Sequence, residues 1–338
     1  MPLHLKLTCD YHACRVTVAD TGQVLAETPL ANLPDMRMIV GDPPGTPNRR
    51  IGDPYGAGKR LFTALGGAAL QQMIDADAEG LLLLECDDRA AQIPWEYAAT
   101  SDRRFLVFDC AMLRLEPQWL PPLPAEPPRL LVVCADPLRY PDGHEPAYRL
   151  DFEREMQALC RALTGSNRTL VTRRVPPTPA GLREALADGP ALVHFSCHGT
   201  LTPLKNANGT SGVDVLLALE DEHGAFRPLL GRDLIGYAPR GSLRLVVLSA
   251  CQSAPLARAF VRRGAPMALG MQHNFPDALS DDLVAAFYRY LSAGHSLAEA
   301  LRQAQISLAE AHPATVGMLV GYARGQGWQA LNLPSGKP

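Results

Sequence analysis

Short, wholly apolar runs alternate with stretches of helical spacing over the second part of the chain, and this alternation sets the expected fold. Leu130 to Ala135, Ala191 to Ser196 and Leu243 to Leu248 read as strands buried on both faces, and Thr169 to Arg174 as a further strand. Asp151 to Leu163 and Pro179 to Ala187 read as helices between them. Such a succession predicts a mostly parallel sheet covered by helices. A strand near Ala268 to Met271 and helices over Ser280 to Leu291 and Ser296 to Ala311 complete the pattern, with Ser296 and Glu299 spaced as a capping box. Gly199 to Gly212 is polar and rich in Gly and Asn, which predicts a loop, and Val213 to Leu219 alternates like a hairpin arm. Glu220-Asp221-Glu222 reads as a solvated turn.

The front of the chain has a different rhythm. Leu3, Leu5 and Leu7, followed by Cys14 to Val18, alternate as a hairpin does, and Gly41 to Gly58 reads as a loop. Lys59 to Ala76 has helical spacing, Leu81 to Cys86 is an apolar strand, and a strand pair is expected around Leu106 to Leu115. Residues 121–128, with Pro121, Pro122, Pro124, Pro127 and Pro128, cannot sustain a helix or a central strand. They divide the chain into a smaller β-rich and helical subdomain over 1–120, a linker, and a larger α/β subdomain over 129–338. No internal repeat stands out.

Composition narrows the function classes. The 338 residues are 47% hydrophobic and 20% charged, as expected of a folded globular chain. A formal charge of −3 and a pI near 6.3 give no pull toward nucleic acid or anionic lipid, so neither is an expected partner. No apolar run approaches the roughly 20 residues of a membrane helix, and the first residues lack the apolar core of a secretory signal, so a cytoplasmic location is expected. Neither a G-x-G-x-x-G nor a G-x-x-x-x-G-K-[ST] loop appears, which argues against nucleotide binding. The eight cysteines include no C-x-x-C pair, so neither a metal nor a cofactor is expected, and most read as buried thiols.

Cys251 is the exception. Two of the apolar strands end in reactive residues: Leu192 to Ser196 runs into Cys197-His198-Gly199, and Leu245 to Ser249 into Ala250-Cys251-Gln252-Ser253. In an open parallel sheet the carboxyl ends of the strands share one crevice, which would bring His198 as general base to Cys251 as nucleophile. Gly199 would let the backbone approach a carbonyl, and its N–H with that of Cys251 would form an oxyanion site. Cys197 points to the opposite face of an extended segment, and His194 reads as structural.

Phe195-Ser196-Cys197-His198-Gly199 together with Leu248-Ser249-Ala250-Cys251 resembles a CHAT domain, a bacterial relative of caspases and separase. His198 precedes Cys251 by 53 residues, near the roughly 50-residue offset of caspase-type enzymes. Pro94-Trp95-Glu96 followed by Arg114 resembles the front subdomain of that family. The stretches Phe287-Tyr288 through Gly294, Ala298-Glu299-Ala300-Leu301 and Ala304-Gln305 resemble its closing helices. The sequence departs from the family pattern at His273, where Trp is frequent, and near Ala254 and Pro255, where Gly is common.

The resemblance implies a caspase-like catalytic subdomain preceded by a pseudo-caspase-like one, and a regulated cysteine endopeptidase acting on a protein in bacterial defence or cell death. A pore-forming effector as substrate and a separate sensor protein as activator are implied in the same way. By resemblance to separase, Asp281 or Asp277 would line the pocket for a basic residue before the scissile bond. The alternative from another class is a catalytically silent scaffold that binds a partner through the same cleft.

Overall fold

The computed structural model describes residues 2–42, 50–117, 129–140, 149–163, 172–174, 177–205 and 211–329. The Pro-rich segment at 121–128 lies outside these residues. The chain forms two compact units: residues 1–117 with 298–320, and residues 118–297 with 321–338.

In the first unit, β1 (Leu3–Cys9), β2 (Ala13–Val18) and β3 (Val24–Pro29) form an antiparallel meander. After it come α1 (Met36–Val40), α2 (Pro54–Leu65), α3 (Ala68–Ala76), β4 (Leu81–Cys86), the short pair β5 (Ala99–Ser101) and β6 (Arg104–Phe105), and β7 (Ala111–Glu116). The sheet order is β3-β2-β1-β4-β7, with β1, β4 and β7 parallel.

Three expectations need correction here. The helix expected over Lys59 to Ala76 is two helices, because Gly66 and Gly67 both hold positive φ, at 126° and 54°, between them. The expected loop at Gly41 to Gly58 gives way at Pro54, where Asp53 caps the first turn of α2 by accepting from the Gly56 N–H at 2.8 Å. The pair expected around Leu106 to Leu115 is one helical turn, Leu106–Phe108, followed by β7.

Trp95 and Glu96 form the structural corner of this unit. Trp95 is fully buried and its indole N–H donates to the Ala90 carbonyl at 2.8 Å. Glu96 receives a bidentate fork from Arg114, Nε to Oε1 and Nη2 to Oε2, each at 2.7 Å. The guanidinium also donates to the carbonyls of Ala91 and Ile93. Both charges are almost completely buried, so they stand only as a mutually satisfied set.

The second unit contains β8 (Leu130–Ala135), α4 (Phe152–Leu163), β9 (Thr172–Arg174), α5 (Pro179–Ala187), β10 (Leu192–Cys197), β11 (Gly199–Lys205), β12 (Ser211–Glu220), β13 (Phe226–Leu230), α6 (Gly231–Tyr237), β14 (Leu245–Ser249), α7 (Ala254–Arg263), β15 (Met267–Met271) and α8 (Ser280–Ser292). Its main sheet runs β15-β14-β10-β8-β9, every neighbour parallel. Strands β8, β10 and β14 are buried along almost their whole length, the pattern of strands covered on both faces. Helix α4 packs on α8, while α5, α6 and α7 pack in succession.

The polar stretch expected as a loop from Gly199 begins instead with a strand. β11 pairs antiparallel with β12, and β13 completes a separate three-stranded sheet. Turn residues are no bar to an edge strand when a longer alternating strand supplies the ladder.

Two elements follow: α9 (Leu297–Ala311) and β16 (Leu319–Arg324), within which the boundary between the units falls. From Ala298 onward α9 is part of the first unit, where Arg302 donates to the carbonyls of Val107 and Phe108 at 2.9 and 2.8 Å. A single cut at the Pro-rich segment therefore differs from this division by the returning segment 298–320. Among the described residues no helix is long and apolar enough to cross a membrane.

Removing one partner of a buried ion pair strands the other, at about 3–5 kcal/mol. Glu96→Ala is expected to destabilise the first unit by that amount in urea unfolding. The double variant Glu96→Leu, Arg114→Met is expected to recover most of the loss.

Candidate active site

The strand order of the second unit reverses between β8 and β10, so that the connections leaving these two strands diverge to opposite sides. A crevice opens beyond their carboxyl ends, where an open parallel sheet binds ligands. Three residues with reactive or charged side chains stand there. Asp136 directly follows β8, His198 directly follows β10, and Cys251 lies just past β14. The register keeps the ends level, pairing Cys197 with Ala135 and Ser196 with Ser249.

Asp136 was not singled out from sequence, although the strand-end logic that selects His198 and Cys251 applies to it equally. Its carboxylate is buried, with Oδ1 at 3.3 Å from His198 Nε2. The other oxygen, Oδ2, pairs with Arg149 Nε at 2.6 Å and accepts from the Leu150 N–H at 3.3 Å. Glu220 Oε1 accepts from the Asp136 N–H at 2.8 Å. The Nε2 side of the imidazole is thus turned toward Asp136.

Cys251 sits in the turn from β14 to α7, and the next residue, Gln252, has φ of 56°. Among the described residues it alone reaches positive φ without being glycine. A left-handed conformation costs a non-glycine residue roughly 1–2 kcal/mol, so it persists only where surrounding contacts hold it. Here the Gln252 N–H donates to the His273 carbonyl at 3.3 Å, and Gln252 Oε1 accepts from the Leu201 N–H at 2.9 Å. Ser253, fully buried, donates through Oγ to the Leu248 carbonyl at 3.1 Å and accepts from the Met271 N–H at 3.0 Å. The turn is thus fastened to β11, β14, β15 and the loop after β15.

Gly199 is required by close approach: a Cβ there would lie 2.4 Å from the Cys251 carbonyl oxygen. The Ala218 N–H donates to the His198 carbonyl at 3.0 Å, which makes His198 and Ala218 a hydrogen-bonded pair of the β11–β12 ladder. Alternation along an antiparallel pair then turns the N–H groups of Gly199 and Leu201 away from β12. The Leu201 N–H indeed meets Gln252. Gly199 and Cys251 are therefore brought backbone to backbone.

One pocket brings together His198, Cys251, Phe275, Asp277, Glu155 and Leu150. The Phe275 N–H donates to Cys251 Sγ at 3.4 Å. Burial pushes the Cys251 thiol above the ordinary cysteine range; the Phe275 and Cys251 N–H groups work against that shift, and the charge of Asp277 adds to it. Cys197 borders the same pocket, but its side chain is buried and burial raises its thiol much further. Of the two acidic candidates, Asp277 lines the pocket. Burial lifts its pKa above the usual carboxylate value, against the Asp151 N–H, which donates to it at 3.2 Å, and with a contribution from the charges of Glu155 and Asp151. Asp281 is taken up by Arg154, Nε to Oδ2 at 2.8 Å.

Beneath the pocket lies a polar network. His194, Ser196 and His198 alternate on one face of β10. Ser196 Oγ donates to Glu155 Oε2 at 2.5 Å, and His194 meets Glu155 Oε1 through Nε2 at 3.0 Å and the Tyr288 hydroxyl through Nδ1 at 3.1 Å. Burial, followed by the charge of Glu155, keeps the Tyr288 phenol protonated, so it can donate to Nδ1 and leave the Nε2 proton for Glu155. His194 is structural, as expected.

The fold and site define an α/β protein with a cysteine and a histidine at adjacent strand ends. The family model of the CHAT domain matches residues 56–330, and the chain belongs to that family. Solved structures similar to it include the Arg-specific cysteine proteinase gingipain R, at 11% identity and TM-score 0.48, covering 79% of this chain and 69% of that one. The complex of Porphyromonas gingivalis RgpB pro- and mature domains aligns at 12% identity and TM-score 0.48, covering 79% and 70%. The Saccharomyces cerevisiae separase–securin complex aligns at 15% identity and TM-score 0.43, covering 72% of this chain and 15% of that one. No curated protein sequence matches the chain.

The network makes a stability prediction. Glu155→Ala, which leaves two buried polar partners unsatisfied, is expected to cost about 3–5 kcal/mol. Urea unfolding followed by far-ultraviolet circular dichroism measures it, with Glu155→Gln expected to lose less.

Proposed function

We propose that the chain is a cysteine endopeptidase in which His198 and Cys251 act as a dyad. The observation that carries this reading is the single pocket into which both residues open, beside the backbone approach of Gly199 to Cys251. In the proposed reaction, His198 Nδ1 takes the thiol proton as Cys251 Sγ attacks the scissile carbonyl carbon. The resulting oxyanion is held by the N–H groups of Gly199 and Cys251. Collapse of the tetrahedral intermediate breaks the C–N bond, and the imidazolium returns its proton to the leaving amine. Water, deprotonated by His198, then hydrolyses the thioester and regenerates the thiol.

Asp136 is a positioning residue in this scheme. It fixes which imidazole nitrogen faces the substrate and stabilises the transient imidazolium, as a buried carboxylate behind a catalytic histidine does. In this scheme Asp277 receives an Arg or Lys side chain before the scissile bond, a reading supported by its lining the pocket while Asp281 is held by Arg154. The substrate is a protein, and the family resemblance suggests cytoplasmic action in a bacterial defence or cell-death pathway, on a target such as a pore-forming effector and under a sensor protein's control.

His198→Ala and Cys251→Ala are each expected to lower kcat by about 10^3-fold or more, with the double variant no worse than the single ones, because residues acting as a unit are non-additive. Cleavage is read by mass-spectrometric mapping of new termini in a bacterial proteome. A protein that captures a partner undiminished by Cys251→Ala, and cuts nothing, would be the scaffold of the alternative reading.

Asp277→Ala is expected to reduce kcat/KM for Arg and Lys substrates by about 2–5 kcal/mol of transition-state binding, with apolar substrates less affected. Steady-state kinetics on a matched peptide series checks this. Cleavage after neutral residues, insensitive to Asp277, would remove the acidic pocket and leave the dyad standing.

A further inference from the structure

The loop that follows β15 touches the reactive sulfur and the specificity pocket at once. Phe275 gives its backbone N–H to Cys251 Sγ at 3.4 Å, and Asp277, two residues later, lines the pocket that Cys251 opens into. Pocket occupancy and nucleophile state therefore meet in three consecutive residues.

Their charges oppose one another. The groups facing Cys251 Sγ are the N–H groups of Phe275 and of Cys251 itself, which favour a thiolate, and the Phe275 carbonyl, to which the thiol donates at 4.0 Å, and the Asp277 carboxylate, which disfavour it. Those facing Asp277 are Asp151 and Glu155 from the α4 side and His198 after β10. Arg154 is engaged by Asp281 and Arg149 by Asp136. Among the described residues no Lys or Arg pairs with Asp277, which receives the Asp151 N–H. Among the described residues the resting pocket thus holds an ionisable carboxylate, without a paired Lys or Arg, whose charge works against the thiol beside it.

We propose that a guanidinium or ammonium group seated on Asp277 activates Cys251, so that the pocket that selects a basic residue also switches on the thiol. Seating the cation cancels the carboxylate's field at sulfur, so that burial alone is left to oppose the Phe275 and Cys251 N–H donors. The thiol proton then passes more readily to His198 Nδ1 and no other bond changes. Neutral substrates gain no such assistance. This inference rests on the reading of Asp277 as the pocket carboxylate and of Cys251 as the nucleophile.

The test uses alkylation rather than proteolysis. The rate of iodoacetamide labelling of Cys251 in the full chain is followed against pH by mass spectrometry of its peptide, with and without millimolar agmatine, a small guanidinium ligand. For wild type, agmatine is expected to move the midpoint down by about half to one pH unit, a three- to tenfold faster labelling near neutrality. Asp277→Asn is expected to show the lowered midpoint already and no response to agmatine, while Asp281→Asn responds as wild type does. The assisted state is lost as pH falls and Asp277 takes up its proton.

An unmoved wild-type midpoint, or an equal response in Asp277→Asn, overturns the proposal. Should Asp277→Asn fold poorly by circular dichroism, the wild-type midpoint with agmatine, against the neutral amide acetamide, decides alone. Because labelling needs no turnover, failure of the coupling and failure of peptidase activity appear in different assays.

Discussion

In the main sheet of the second unit every strand runs the same way, and this constraint governs the chemistry. Parallel strands deliver all their carboxyl ends to one edge, and the reversal of order between β8 and β10 prevents the following segments from closing over it. A carboxylate, an imidazole and a thiol from three distant stretches of sequence are level there without any loop having to search for them. The register places them; local conformation only aims them.

Aiming is where conformational energy is spent. Gln252 in a left-handed conformation turns the chain sharply after Cys251, and the serine after it ties β14 to β15. Because Gln252 also grips β11 through the Leu201 N–H, the turn bearing the thiol and the strand beginning at Gly199 form one rigid piece. In the reaction proposed above, an oxyanion site of backbone N–H groups would draw on this fastening, since such donors help only when they point at the developing charge before it develops.

Much of this was legible in the sequence. The apolar runs at 130–135, 191–196 and 243–248 are strands because nothing but a fully covered sheet accommodates them, and His198 and Cys251 stood out by closing two of them. Asp136 escaped notice because an aspartate after a strand is ordinary, and only distance to His198 gives it meaning. The role of Phe275 belongs to its backbone, which side-chain chemistry does not report. Helix α9 showed an apolar face, yet periodicity does not name the surface that covers it, and the segment from Ala298 belongs to the first unit. The break at Gly66 and Gly67 carried a signal in its two adjacent glycines, which the helical spacing on either side masked.

The polar face of β10 brings a buried carboxylate to the pocket. His194, Ser196 and His198 share that face; His194 is held by Glu155 and Tyr288, and Ser196, also held by Glu155, lines the pocket together with His198. Holding His194 and Ser196 requires a carboxylate, Glu155, to be buried at the pocket. Burial makes both Asp277 and the Cys251 thiol harder to ionise, and to this the charge of Glu155 adds at Asp277 and that of Asp277 adds at Cys251. The acidity that holds β10 in place therefore adds a further penalty at Cys251, through one intermediate carboxylate. Glu155, Asp277 and Cys251 all line the one pocket, so a cation entering it meets the whole of this chain of groups.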